Sequence, residues 1–336
     1  MNILWAGGED IDFPNGVAPL VANDGFSAGY ARCSLNPSIG GAAFSNVFPA
    51  GAITACWLHF TAMETQNNPP TEAGFVGFGK SGVSKALMVT AVATASGLSS
   101  MLRISKWTGS SWTNLNSSPT GVLVLSAVNR IDVQLVAFAD TVNGTVNVYV
   151  NEGTVPVVTY TGDLTQTSFA ANVDRLVIGP GPPNGIDHQR NRVSEIIVAD
   201  SDTRGLRLVT AAPSGAGSTN DWTGAYTTID ETTNSDADNI YADANAEDFQ
   251  CALIDLPAGT FGCAGIAISA RALVTESSAV SKIKLGVLDA AVVDVDAGQT
   301  CTAGWVTYGR IAKTINGTAL DTTRLNALQL NLRAAT

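Results

Sequence analysis

Apolar and polar residues alternate with a period of two through much of this chain. In Arg130-Ile-Asp-Val-Gln-Leu-Val-Ala-Phe138, Ile131, Val133 and Leu135 alternate with Asp132 and Gln134. Beyond Asn143-Gly144, Val146, Val148 and Val150 alternate with Thr145, Asn147 and Tyr149. Successive side chains of a strand point to opposite sheet faces, so each run presents one apolar and one polar face. Asn-Gly supplies the positive φ angles of a tight reversal, so the two runs predict a β-hairpin that turns at Asn143-Gly144.

The same grammar predicts strands at 52–62, 74–79, 85–93, 102–108, 111–115, 155–161, 176–179 and 193–200, with a Gly109-Ser110 turn between two of them. Short strands at this spacing, with no amphipathic helix among them, imply two sheets that cover each other's apolar faces. The texture changes after Asp200. Ser201-Asp-Thr-Arg-Gly205 has the look of a junction, and 214–220 reads as a small polar loop. Residues 230–248 are acidic and poor in apolar side chains. Strands are expected again at 250–256, 262–273, 281–288, 305–311 and 325–332. The expectation is therefore an all-β chain of two β-sandwich domains, 1–203 and a smaller 204–336.

Composition agrees. Of 336 residues 45% are hydrophobic and only 14% charged, with 33 glycines for the many turns such strands need. The net charge of −11 repels phosphate backbones and argues against a nucleic-acid partner. The start of the chain has neither a basic nor an apolar signal region, and 86–102 is too short and too polar to span a bilayer. Synthesis in a cytoplasm and no membrane partner are the expectations. Five cysteines (Cys33, Cys56, Cys251, Cys263, Cys301) are odd in number and widely spaced, with no CxxC pair. Buried thiols are the simple reading; a bridge among Cys251, Cys263 and Cys301 is the alternative.

Several motifs compete for a chemical role. Gly74-Phe-Val-Gly-Phe-Gly-Lys-Ser81 matches the P-loop pattern, and Ile196–Asp200 resembles a Walker B run. A phosphate cradle needs a strand before it and a helix after it, and here a loop precedes and a turn and strand follow. Nucleotide binding is not expected. His59 sits in an alternating strand and His188 in a polar turn, with no nucleophile elbow anywhere, so triad chemistry is not expected either. Glu9-Asp10-Ile11-Asp12 is the nearest carboxylate cluster, and it lacks glycosidase spacing. Asp236-Ala-Asp238 begins like a calcium loop without its later ligands or glycine. No metal and no cofactor follow. Trp107 and Trp112 flank a tight turn; they are candidate glycan or partner contacts, with Asn114 and Asn116 as neighbours, or else they pack in a core.

The run Arg130–Leu135, followed by Thr145-Val-Asn-Val-Tyr-Val-Asn-Glu-Gly153, resembles concanavalin A-like lectin/glucanase sandwiches of the laminin-G type. That implies a jelly roll for the first domain. Ser194–Leu208, Ala212–Gly224 and Ile229-Asp-Glu231, with the opening Ile3–Phe13, resemble structural proteins of tailed bacteriophages. In those proteins a lectin-like sandwich passes through an Asp-Thr-Arg-Gly junction into a second β-domain. This resemblance implies a non-enzymatic virion component: a fibre, collar, tail or head-decoration protein. Its partners would be other virion proteins and copies of itself as a homo-oligomer, with host surface glycan as a further ligand. A carbohydrate-binding host-recognition module is the second expectation, and a polysaccharide-degrading enzyme the third.

Overall fold

The computed structural model describes residues 1–13, 17–20, 34–37, 43–64, 72–81, 84–93, 99–124, 126–165, 172–179, 191–231, 235–259, 262–275 and 280–336. It comprises two compact units, Ile3–Leu208 and Val209–Thr336. His188 and Cys33 lie outside the described residues.

The first unit carries β1 (Ile3–Gly7), β2 (Val17–Leu20), β3 (Ser34–Pro37), β4 (Ala43–Phe44) and β5 (Cys56–Glu64). Next come β6 (Glu72–Lys80), β7 (Ser84–Ala93), β8 (Ser99–Trp107), β9 (Trp112–Ser117) and β10 (Leu123–Val124). It closes with β11 (Asn129–Val136), β12 (Gly144–Val150), β13 (Val158–Gly162), β14 (Arg175–Ile178) and β15 (Asn191–Ala199). They form an eight-stranded sheet in the order β13-β12-β11-β5-β15-β3-β2, with β1 also on β15. A seven-stranded sheet runs β10-β8-β7-β6-β14-β4, with β9 also on β8. Every pairing in both sheets is antiparallel. One core lies between the sheets: Leu58 and Phe60 of β5, Ile131 and Val133 of β11, Phe75 and Phe78 of β6, and Leu102 and Ile104 of β8. The unit is an antiparallel sandwich of the jelly-roll type, and the alternation expected of Ile131, Val133 and Leu135 is the alternation observed.

The hairpin reverses differently from the expectation. Residues 137–143 form the connection, and its left-handed residue is Ala137 (φ 51°), not Asn143 or Gly144. The Asp140 carboxylate organises the loop by accepting from the Val142 and Asn143 amides at 2.7 and 2.8 Å. Gly144 instead lets two strands approach closely, since a Cβ there would lie 2.9 Å from the Gly162 carbonyl oxygen on β13.

The second unit contains β16 (Pro213–Asn220), β17 (Asp248–Leu253), β18 (Ile266–Ala272), β19 (Lys282–Asp289), β20 (Val292–Val295) and β21 (Gln299–Thr300). It continues with β22 (Val306–Ala312), β23 (Thr314–Ile315), β24 (Thr318–Ala319), α1 (Thr322–Ala327) and β25 (Gln329–Ala335). A six-stranded sheet, β16-β17-β25-β19-β20 with β21 on β19, shares one core with the two-stranded ribbon β18–β22. Phe249, Leu285 and Leu332 of the sheet meet Ile268 and Tyr308 of the ribbon.

Two expectations change here. Residues 214–220 are not a loop but an edge strand; Gly217 passes so close to β17 that a Cβ would meet the Gln250 carbonyl oxygen at 2.4 Å. A polar, glycine-rich run has no apolar face to betray it as a strand. The run expected from Leu325 begins as a helix, capped by the Asp321 side chain accepting from the Arg324 amide at 2.9 Å, and extends only from Gln329. The described thiols Cys56, Cys251, Cys263 and Cys301 are free, so no bridge joins the last three.

Candidate functional site

The polar outer face of the eight-stranded sheet is where the junction settles. Cross-strand register sets Ile197, His59, Asp132 and Tyr149 in one row. His59 and Asp132 are fully buried, with His59 Nδ1 2.9 Å from Asp132 Oδ1. Thr203 donates to the same oxygen at 2.8 Å. Trp57 and Tyr149 stack at 5.5 Å, and the Arg204 guanidinium lies over both rings at 5.4 and 4.8 Å. Arg204 also donates to the Gly153 carbonyl at 3.0 Å. A bulge between Ser194 and Ile197 leaves Glu195 buried against Arg207, which binds it through two nitrogens at 2.6 and 2.7 Å.

Residues 203–208 are thus a strap over a polar sheet face. Arg204 and Arg207 hold these residues to the first unit, which extends to Leu208. His59, with zero exposure, is enclosed between the sheet and the strap.

The P-loop match resolves into strand and turn. Gly74–Lys80 belongs to β6, and a Cβ on Gly77 would lie 2.0 Å from the Leu87 carbonyl oxygen, where β6 bulges against β7. The Ser81 amide donates to Asp174 Oδ1 at 2.7 Å, and Lys80 donates to Asn172 Oδ1. A carboxylate therefore holds the amide that a phosphate would need. The Walker B-like run is β15, with Ile196, Ile197 and Val198 buried. Asp12 caps the chain's first turn, accepting from the Gly8 amide at 2.9 Å. Asp236 binds Arg271 through both carboxylate oxygens at 2.6 and 2.9 Å. Among the described residues no group of three or more His, Cys, Asp or Glu is placed to hold a metal ion.

Trp107 and Trp112 are cross-strand partners on the outer face of the seven-stranded sheet, edge to face with centroids 5.2 Å apart. They belong to a small apolar cluster with Met88, Val177 and Phe44, separate from the main core. Trp112 is buried and Trp107 half-buried. Register places Ser105 opposite Asn114, and Arg103 opposite Ser117, on the same face. Asn116 departs from it: a bulge pairs it with the inward-facing Ile104, and it donates to the Thr159 carbonyl at 2.6 Å.

Beside this apolar half lies a polar one that the sequence pattern does not assemble. Glu72 of β6 meets Arg103 of β8 at 2.5 Å, with side chains 14% and 25% exposed. Thr90 of β7, between them, donates to the other Glu72 oxygen at 2.6 Å. Arg103 Nε donates to Ser117 at 3.2 Å. Ser105 Oγ is buried and has no hydrogen-bond partner among the described residues. Arg175 of β14 donates to Ser81 Oγ at 2.5 Å and lies 5.8 Å from the Phe44 ring centroid. The alternation of Arg103, Ser105 and Trp107 along β8 is the one signal that could have united these groups.

No protein-family model matches the chain, and no curated protein matches it. Among solved structures it is similar to the heptameric SAP-like pentraxin of Limulus polyphemus, at 14% identity over 46% of this chain and 68% of that one, with a TM-score of 0.33. It is similar to the carbohydrate-binding module CBM66 of Bacillus subtilis, at 7% identity over 55% and 95%, TM-score 0.34. It is also similar to the sialidase of Trypanosoma rangeli, at 17% identity and TM-score 0.34, over 55% of this chain but only 27% of the sialidase.

Proposed function

We propose that this protein is a non-enzymatic, glycan-binding β-sandwich protein and that the outer face of its seven-stranded sheet carries the ligand. The observation behind this reading is that the Trp107–Trp112 pair shares one sheet face with Asn114, Ser117, Arg103 and Glu72, Arg103 lying four residues along β8 from Trp107. Sugars have an apolar ring face and a polar edge of hydroxyls, and this surface has the same two halves. Glu72 is held by Arg103 and Thr90, which suits hydroxyl recognition rather than proton transfer to a glycosidic oxygen. Glycan-array binding, lost on Trp107→Ala with the fold intact, supports the reading. Absence of binding across neutral and acidic glycans, or release of reducing sugar from a polysaccharide, overturns it.

A second reading gives the setting: a structural component of a phage virion, docked on other virion proteins or on copies of itself. It rests on the sequence resemblance of residues 194–231, and the strap favours it. Thr203 and Arg204 of the Asp-Thr-Arg-Gly run in that resemblance hold the chain where it leaves the sandwich. Mass spectrometry of purified particles tests it; consistent absence from the particle sinks it.

A further inference from the structure

The Glu72–Arg103 pair bears on which glycans this face accepts. An exposed arginine among aromatic rings is a strong attractor of carboxylates and sulfates, because its planar fork binds them through two nitrogens. Arg103 is already matched: Glu72 holds Nη1 at 2.5 Å, and Thr90, fully buried, fixes the carboxylate through its second oxygen at 2.6 Å. The second guanidinium on the face, Arg175, donates to Ser81 Oγ at 2.5 Å and forms an ion pair with Asp174 at 3.6 Å, its Nε making no hydrogen bond among the described residues.

We propose that this face selects uncharged glycans and that Glu72 is the residue that excludes anionic ones; the inference rests on the glycan-binding reading above. A carboxylate and a guanidinium side by side offer an acceptor and a donor. Adjacent sugar hydroxyls, each able to donate and accept, complement both. A uronate or sialic acid brought to the same place meets the Glu72 carboxylate while Arg103 is occupied, and like charges brought together at an interface oppose binding. The net charge of −11 adds long-range repulsion of acidic polysaccharides.

The test measures binding of the full chain to neutral β-linked glucose and galactose oligosaccharides, to oligouronates and to sialyllactose, at low and high sodium chloride. The wild type is expected to bind a neutral ligand with little salt dependence, and oligouronates about tenfold or more weakly. Glu72→Gln leaves Arg103 unmatched and is expected to shift the preference towards oligouronate by about tenfold. Arg103→Gln should weaken neutral binding without admitting oligouronate, and it reads the proposal should the first variant not fold. Preference of the wild type for an anionic glycan, an unchanged preference in Glu72→Gln, or admission of oligouronate by Arg103→Gln overturns the inference while leaving glycan binding in place. Failure to bind any glycan overturns both.

Discussion

Thr203 donates a hydrogen bond of 2.8 Å to Asp132, 71 residues earlier in the chain, at the carboxylate oxygen that His59 also approaches. The contact closes the strap over a sheet face whose residues alternate as if for solvent. It also leaves the second Asp132 oxygen and His59 Nε2 buried without a partner among the described residues, so the network has little to spare.

Thr203→Val should therefore cost about 1–3 kcal/mol, the penalty for stripping a partner from a buried polar group. The strap contains Arg204 and Arg207, so its loosening is read directly by limited trypsin digestion. Cleavage after Arg204 is expected to accelerate in the variant. Unchanged cleavage and an unchanged denaturation midpoint would show that the strap is held elsewhere.

Gly77→Ala separates the strand from the phosphate cradle. The added methyl would meet the Leu87 carbonyl oxygen at 2.0 Å, so a loss of about 1–3 kcal/mol is expected from overpacking. Lys80→Ala should cost about 1 kcal/mol, the net worth of its hydrogen bond to Asn172. Neither the wild type nor either variant should gain stability from ATP with magnesium in a thermal-shift assay.

The two tryptophans should behave unequally. Trp112 is 9% exposed and packs on Met88 and Val177, so Trp112→Ala is expected to cost about 3 kcal/mol or more. Trp107, half-buried, should cost about 1 kcal/mol on truncation, because less of its area leaves water on folding. Urea denaturation of both variants checks the order.

The thiols should be silent in the folded state. Burial pushes Cys251 up to about 12 and also raises Cys56, Cys263 and Cys301. In the unfolded chain these groups ionise near pH 9, while the folded chain retains their protons. Stability is thus unaffected below that pH and falls as pH rises above it. Reaction of Cys251 with an aromatic disulfide at pH 8, followed by mass mapping, should be fast only in denaturant. Rapid labelling without denaturant would contradict the burial.

Much of the sandwich was legible because alternation is a local property. Ile131, Val133 and Leu135 must share one sheet face whatever surrounds them, and an apolar face demands a second sheet. The edge strand Pro213–Asn220 and the helix Thr322–Ala327 escaped for the same reason in reverse: neither carries a buried apolar stripe. The hairpin's turn escaped because Asp140, not Asn-Gly, organises it. Trp107 and Trp112 could be paired from their spacing across Gly109-Ser110. The partnership of Glu72 with Arg103 could not, because strand order and bulges set which residues from β6, β7 and β8 lie side by side. The burial of His59 and Asp132 was likewise decided by the strap. Alternation sorts residues onto faces; only the packed chain decides which face is covered and which side chains meet across it.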